Sequence, residues 1–126
     1  MMKNKKAISV IFNNKDYQVI KKFISKKEKE YDIYLSKSSI LNDAIGFCMT
    51  SKLSTLKVYA DNLAGVIPKG TPLTKRIAII MDDSTIQELE ELRENRYLFK
   101  ENTPLSEVIR TVSLCGFDIL KEEYNV

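Results

Sequence analysis

The sequence predicts a mainly α-helical chain organised around a two-stranded antiparallel ribbon, and three observations carry that expectation. In KKAISVIFNNKDY (residues 5–17), Ile8, Val10 and Phe12 alternate with Ala7, Ser9 and Ile11, the period of a strand with one buried face. KRIAIIMDDSTIQEL, beginning at Lys75, repeats the pattern at an offset of 69, taking Ile8 to Ile77, Val10 to Ile79 and Phe12 to Met81. Each strand then runs into apolar residues at helical spacing. A lone amphipathic strand leaves its ladder groups unpaired, so the economical arrangement pairs the two strands with each other. Ile8, Val10, Phe12, Ile77, Ile79 and Met81 then line an inner face covered by helices.

After the first strand, Asn13 and Asn14 are a polar pair able to cap a helix, and Tyr17, Ile20 and Phe23 follow at helical spacing. Their counterparts are Asp82, Asp83, Ile86, Leu89 and Leu92. The charged stretch KKEKEYDIY (26–34) reads as a turn. LSKSSILNDAI (35–45) opens a second helix, with Ser36 as its cap. TPLSEVIRTVS (103–113) matches it at an offset of 68, pairing Ser38 with Ser106, Ile40 with Val108 and Leu41 with Ile109. There Thr103 is the expected cap, ahead of Pro104 at the first helical position. RENRYLFKEN (93–102) reads as the matching turn.

Between the copies, SKLSTLKVYADNL (51–63) sets Leu53, Leu56, Tyr59 and Leu63 at helical spacing. It either lengthens the preceding helix or forms an extra one, and it either covers the core or meets a partner. GVIPKGTPLT (65–74) holds two of the four glycines and two of the three prolines and is the expected linker. The expected organisation is a first copy over 1–50, an extension and linker over 51–74, and a second copy over 75–126. Each half is near the size at which a separate core becomes marginal, so one shared core is expected.

The net charge of +3 conceals a division. Residues 1–60 contain twelve lysines against five carboxylates, giving +7; residues 61–126 contain eight basic and twelve acidic residues, giving −4. A basic half suggests a polyanion, most simply nucleic acid. No apolar run approaches the ~18 residues of a membrane span, and no signal-peptide pattern follows Met1, so a cytoplasmic protein without membrane contact is expected. Cys48 and Cys115 have no CxxC neighbour and the chain has no histidine; both read as buried free thiols, with no metal and no other cofactor. Without histidine, a phosphate-binding glycine loop or a nucleophile elbow, an enzyme is not expected.

A short alternating strand, a capped helix and a second helix opening with LSKS or PLSE resembles the ribbon-helix-helix DNA-binding family of the Arc and MetJ type. The resemblance covers residues 5–50 and 74–121. Family members usually pair two chains to make the ribbon; two copies in one chain, a tandem pseudo-dimer, are similar to the TraY-type conjugation accessory proteins. Neither copy has the glycine that members usually carry between the two helices.

The resemblance implies a ribbon lying in the DNA major groove, which admits one and distinguishes all four base pairs. The base readers would be Ala7, Ser9 and Ile11 with Arg76, Ala78 and Ile80. Pairing about Ser9 and Ala78 sets Arg76 beside Ile11 and Ala7 beside Ile80. Arg76 is then the outward strand residue able to contact guanine in bidentate fashion, worth ~1–3 kcal/mol of discrimination. Ser9 can bond several bases, and Ile11 and Ile80 suit either thymine methyls or a second layer of protein. Phosphates would be held by backbone amides around Ser36, Lys37 and Ser38, and around Thr103, Leu105 and Ser106. Lys3, Lys5, Lys6 and Lys75 would add salt-sensitive contacts.

The expected function is therefore sequence-specific binding of double-stranded DNA, as a transcriptional repressor or a plasmid or mobile-element accessory factor. Association of chains with one another on adjacent sites is compatible with that expectation. The alternative is a protein-interaction module of the same fold that has lost base reading. An antitoxin ranks lower, because only KEEYNV follows Leu120.

Overall fold

The two alternating stretches become strands β1 (Lys5–Asn13) and β2 (Leu73–Asp82), paired antiparallel. The computed structural model describes residues 4–66 and 72–123. Lys3, the middle of the expected linker, the end of the KEEYNV stretch and the Leu63 side chain lie outside the described residues. The ribbon adopts the expected register: Ser9 faces Ala78, Ile11 faces Arg76 and Ala7 faces Ile80. A bulge between Phe12 and Asn13 carries the pairing from Lys75 to Leu73, so β2 starts two residues before the expected second copy. On the inner face Val10, Phe12, Ile77, Ile79 and Met81 are buried, and Ile8 packs partly against them.

Each strand passes straight into a helix. Asn13 caps α1 (Asn14–Tyr31) by accepting from the Asp16 amide at 2.8 Å, and Asp82 caps α4 (Asp83–Arg93) by accepting from the Thr85 amide at 2.9 Å. Then come α2 (Lys37–Thr50) after α1, and α5 (Leu105–Glu123) after α4. α2 packs against α5 and β2, while α5 packs against β1. Each second helix thus covers the strand contributed by the other half. The core accordingly mixes both halves: Ile20, Leu41 and Ile45 share it with Leu89, Ile109 and Val112, and the Phe23 ring meets Phe117 edge-on at 5.2 Å.

The turn expected at KKEKEYDIY is mostly helix. α1 continues to Tyr31, because lysine and glutamate favour helix and because the last turns are tied down. Lys27 is buried, its ammonium lying over the Phe23 and Tyr31 rings and 3.4 Å from Glu30. The glycine that both turns lack is replaced by residues that tolerate a left-handed backbone: Asp32 (φ 51°) ends α1, and Asn102 (φ 67°) lies before α5. RENRYLFKEN does form the loop between α4 and α5, but Leu98 and Phe99 turn inward to the core.

The stretch after α2 is a separate helix, α3 (Leu53–Val66), divided from α2 at Ser51, whose amide and hydroxyl both donate to the Cys48 carbonyl. Leu56 and Ala60 are buried and Tyr59 is half-buried, but Leu53 is exposed. The edges of the expected linker belong to α3 and β2.

Candidate nucleic-acid interface

The register decides which side chains leave the ribbon together. Pairs Ala7–Ile80, Ser9–Ala78 and Ile11–Arg76 point away from the buried face. Ala7, Ser9, Arg76, Ala78 and Ile80 are exposed, Ile80 by 51%, and Ile11 is half-buried. All six expected base readers therefore share one face of the sheet. That face spans ~13 Å along each strand, by the strand rise of ~3.3 Å per residue.

Three side chains hold the ribbon's edges, and sequence reasoning missed two of them, Asn42 and Arg110. The Ile80 amide donates to the Ser38 hydroxyl oxygen at 2.8 Å, and the Asn42 side-chain amide donates to the Ile80 carbonyl at 2.6 Å. On the other edge, the Arg110 guanidinium donates to the Ile11 carbonyl at 3.0 Å. These backbone groups point away from the partner strand, as expected for the non-hydrogen-bonded pairs of an antiparallel ladder. The signal was available: an offset of 68 takes Asn42 to Arg110, and an offset of 69 takes Ile11 to Ile80. Burial lowers the Arg110 pKa, while Glu107 and Asp16 act to raise it. Ser38, expected at a phosphate, is thus engaged with the strand edge.

Ser36 caps α2 as expected, its hydroxyl accepting from the Ser39 amide at 3.0 Å. The amides of Lys37 and Ser38 fall in the first turn, where a helix supplies no acceptor of its own. Beside them is a concavity of about 520 Å³ lined by Tyr17, Lys21, Tyr34, Ser36, Lys37 and Arg76, among others. The ammonium groups of Lys21, Lys37 and Lys75 lie 5.6, 5.7 and 5.8 Å from the centre of the Tyr17 ring. Three like charges held this closely create a positive potential at the start of α2. Glu28 also lines the concavity, with one carboxylate oxygen accepting from the Leu35 amide at 3.0 Å.

The start of α5 differs. The Thr103 hydroxyl donates back to the Lys100 carbonyl at 2.6 Å, so the expected cap does not form; Pro104 supplies the carbonyl that accepts from the Val108 amide. Proline at the position matching Ser36 has no hydroxyl to offer. Leu105 is half-buried and Ser106 exposed. The nearby Arg93 and Arg96 are each paired with a carboxylate, Glu90 and Glu94 respectively. Lys5 and Lys6 are exposed at the start of β1.

Compared with known proteins, the chain matches no family model, no curated protein and no solved structure. The geometry itself must carry the functional reading. It offers an uncovered ribbon face with one arginine, and beside it a helix start ringed by cations. Among the described residues no cluster suited to a metal ion occurs, and no helix is long and apolar enough to cross a membrane.

Proposed function

We propose that this chain binds double-stranded DNA sequence-specifically as a tandem ribbon-helix-helix pseudo-dimer, with its ribbon in the major groove. The observation that carries the proposal is the ribbon face left uncovered by helices, bearing Ser9 and Arg76 among small and apolar side chains. Arg76 reads guanine, Ser9 bonds a base edge, and Ala7, Ala78, Ile11 and Ile80 meet thymine methyls. The α2 start supports this role by offering first-turn amides and the Lys21, Lys37 and Lys75 cations to a phosphate on the flank of the groove.

The two flanks are unequal. Lys21, Lys37 and Arg76 correspond, at the offsets of the two copies, to Glu90, Leu105 and Ala7. One half-site is therefore held more tightly than the other, and the preferred sequence is an imperfect palindrome. A repressor or a mobile-element accessory factor is the role this reading fits.

Selection from random duplexes tests the reading. A site should be enriched, with affinity falling roughly 10³-fold between about 50 and 200 mM salt if about six phosphates are contacted. Arg76→Ala should cost ~1–3 kcal/mol and relax preference at one base position. Lys37→Ala should weaken all sequences alike and reduce the salt slope by ~1. No enriched site and no salt-sensitive binding would favour the second reading, a protein-interaction module, which the apolar content of the same face supports through Ile11 and the exposed Ile80.

A further inference from the structure

The helices that follow the two strands carry opposite charge. α1 has Lys15, Lys21, Lys22, Lys26, Lys27 and Lys29 against Asp16, Glu28 and Glu30; α4 has Asp83, Glu88, Glu90 and Glu91 against Arg93. On α1, Lys15, Lys22, Lys26 and Lys29 recur at intervals of seven, four and three residues, so they form one stripe along the helix. All four are exposed; Lys22, Lys26 and Lys29 are in no ion pair among the described residues, while Lys15 acts on the neighbouring Asp16 carboxylate. Like charges at this spacing destabilise their own helix unless something of opposite sign covers them. A shallow groove of about 430 Å³ runs along this face, lined by Gln18, Lys21, Lys22, Ser25, Lys26 and Lys29. On α4, Asp83, Glu88 and Glu91 are exposed and likewise outside any ion pair among the described residues.

The ribbon sets where these faces lie. α1 leaves β1 after Asn13, at the end of the ribbon where Leu73 begins β2; α4 leaves β2 after Asp82, which pairs with Lys5 at the other end. The basic and acidic helices therefore start from opposite ends of one ribbon. A surface complementary to a different surface of the same molecule makes a head-to-tail contact, which builds a ring where the rotation between copies closes and an open row where it does not.

We propose that copies of this chain associate head to tail, the lysine stripe on α1 of one copy meeting the acidic face of α4 on the next. A nucleic acid or anionic membrane would neutralise α1 but would leave α4 without a counterpart; a second copy satisfies both. The contact requires no DNA, so its test is independent of the DNA-binding proposal.

Sedimentation velocity of the full chain, without DNA, tests it. The average mass should rise with protein concentration at about 50 mM salt, and the association should weaken at least about tenfold by 500 mM. A Lys22→Glu/Lys26→Glu/Lys29→Glu variant and a Glu88→Lys/Glu91→Lys variant should each remain monomeric, because each brings like charges together at the contact. Mixing those two variants should restore association, since acidic α1 then meets basic α4. Circular dichroism on each variant establishes that these surface changes leave the fold intact; a variant that unfolds is replaced by its alanine equivalent, which should lose association without gaining it on mixing. A wild-type chain that stays monomeric up to about 200 µM at low salt overturns the proposal. So does charge-reversed protein that associates as wild type does, or a mixture of folded charge-reversal variants that fails to associate.

Discussion

At Gly116 the crossing of α2 and α5 leaves no room for a methyl group. A Cβ placed there would sit 1.6 Å from the Ala44 carbonyl oxygen and 2.4 Å from its carbon. Backbone cannot rotate away as a side-chain tip can, so the two helices would have to separate. Gly116→Ala should lower stability by about 3 kcal/mol or more, at the top of the usual overpacking range, as read by urea unfolding. Nearby, Cys48 and Cys115 are both buried and unbridged, as the absence of a CxxC spacing had suggested. The Cys48 pKa is driven up, first by its hydrogen bond with Cys115 and then by burial, so the thiol stays protonated. The thiols were legible in the sequence, but the Gly116 contact was not. A glycine inside a helix reads only as a weak position until the neighbour pressing against it is known.

Among the elements, α3 docks on α5 through a polar contact as well as apolar burial. The Tyr59 hydroxyl on α3 donates to the Asp118 carboxylate on α5, while Leu56 and Ala60 supply buried apolar surface. A hydrogen bond to a charged group contributes ~1.5–3 kcal/mol, and partial exposure of both partners argues for the lower end. Tyr59→Phe should therefore cost about 1–2 kcal/mol in urea unfolding. Burial, and then the bond to Asp118, hold the Tyr59 pKa above the ordinary tyrosine value. A raised pKa in the folded state gives stability that is complete below the unfolded value of ~10 and is lost as pH rises through the folded one. Wild type should accordingly lose more stability than Tyr59→Phe when pH is raised above ~10. The helical spacing of Leu56 and Tyr59 was visible in the sequence. That Leu53 faces solvent was not, because periodicity identifies a stripe without saying how far the neighbouring helix extends along it. The end of α1 shows the converse: the apolar pattern stops near Ile24, yet the helix continues because Lys27 packs its stem and ammonium against two rings.

At the scale of the whole molecule, each half supplies one strand and the helix that covers the other half's strand. Separation would leave Val10 and Phe12, or Ile77 and Ile79, without either a ladder partner or a cover. A fragment of residues 1–66 should thus be largely unfolded by circular dichroism at low micromolar concentration. A monomeric fragment that unfolds cooperatively would contradict the shared core. The arrangement also fixes the candidate interface, because the six outward residues come from stretches almost seventy positions apart and meet only through the register. Asn42 and Arg110 hold that register from the two second helices, and so position the ribbon relative to the cation cluster at the start of α2.

The sequence alone determined the two strands, the polar pairs Asn13/Asn14 and Asp82/Asp83 from which the following helices are capped, the cap at Ser36, and the inner face of the ribbon. Those features depend on alternation, duplication and local hydrogen bonding, all of which act between residues whose relation is visible along the chain. Only the tertiary structure decided that Ser38 and Asn42 seal one ribbon edge, that Thr103 turns away from α5, and that three lysines converge on the Tyr17 ring. Each depends on distances between groups from different elements, and these are set by how the helices pack across the ribbon.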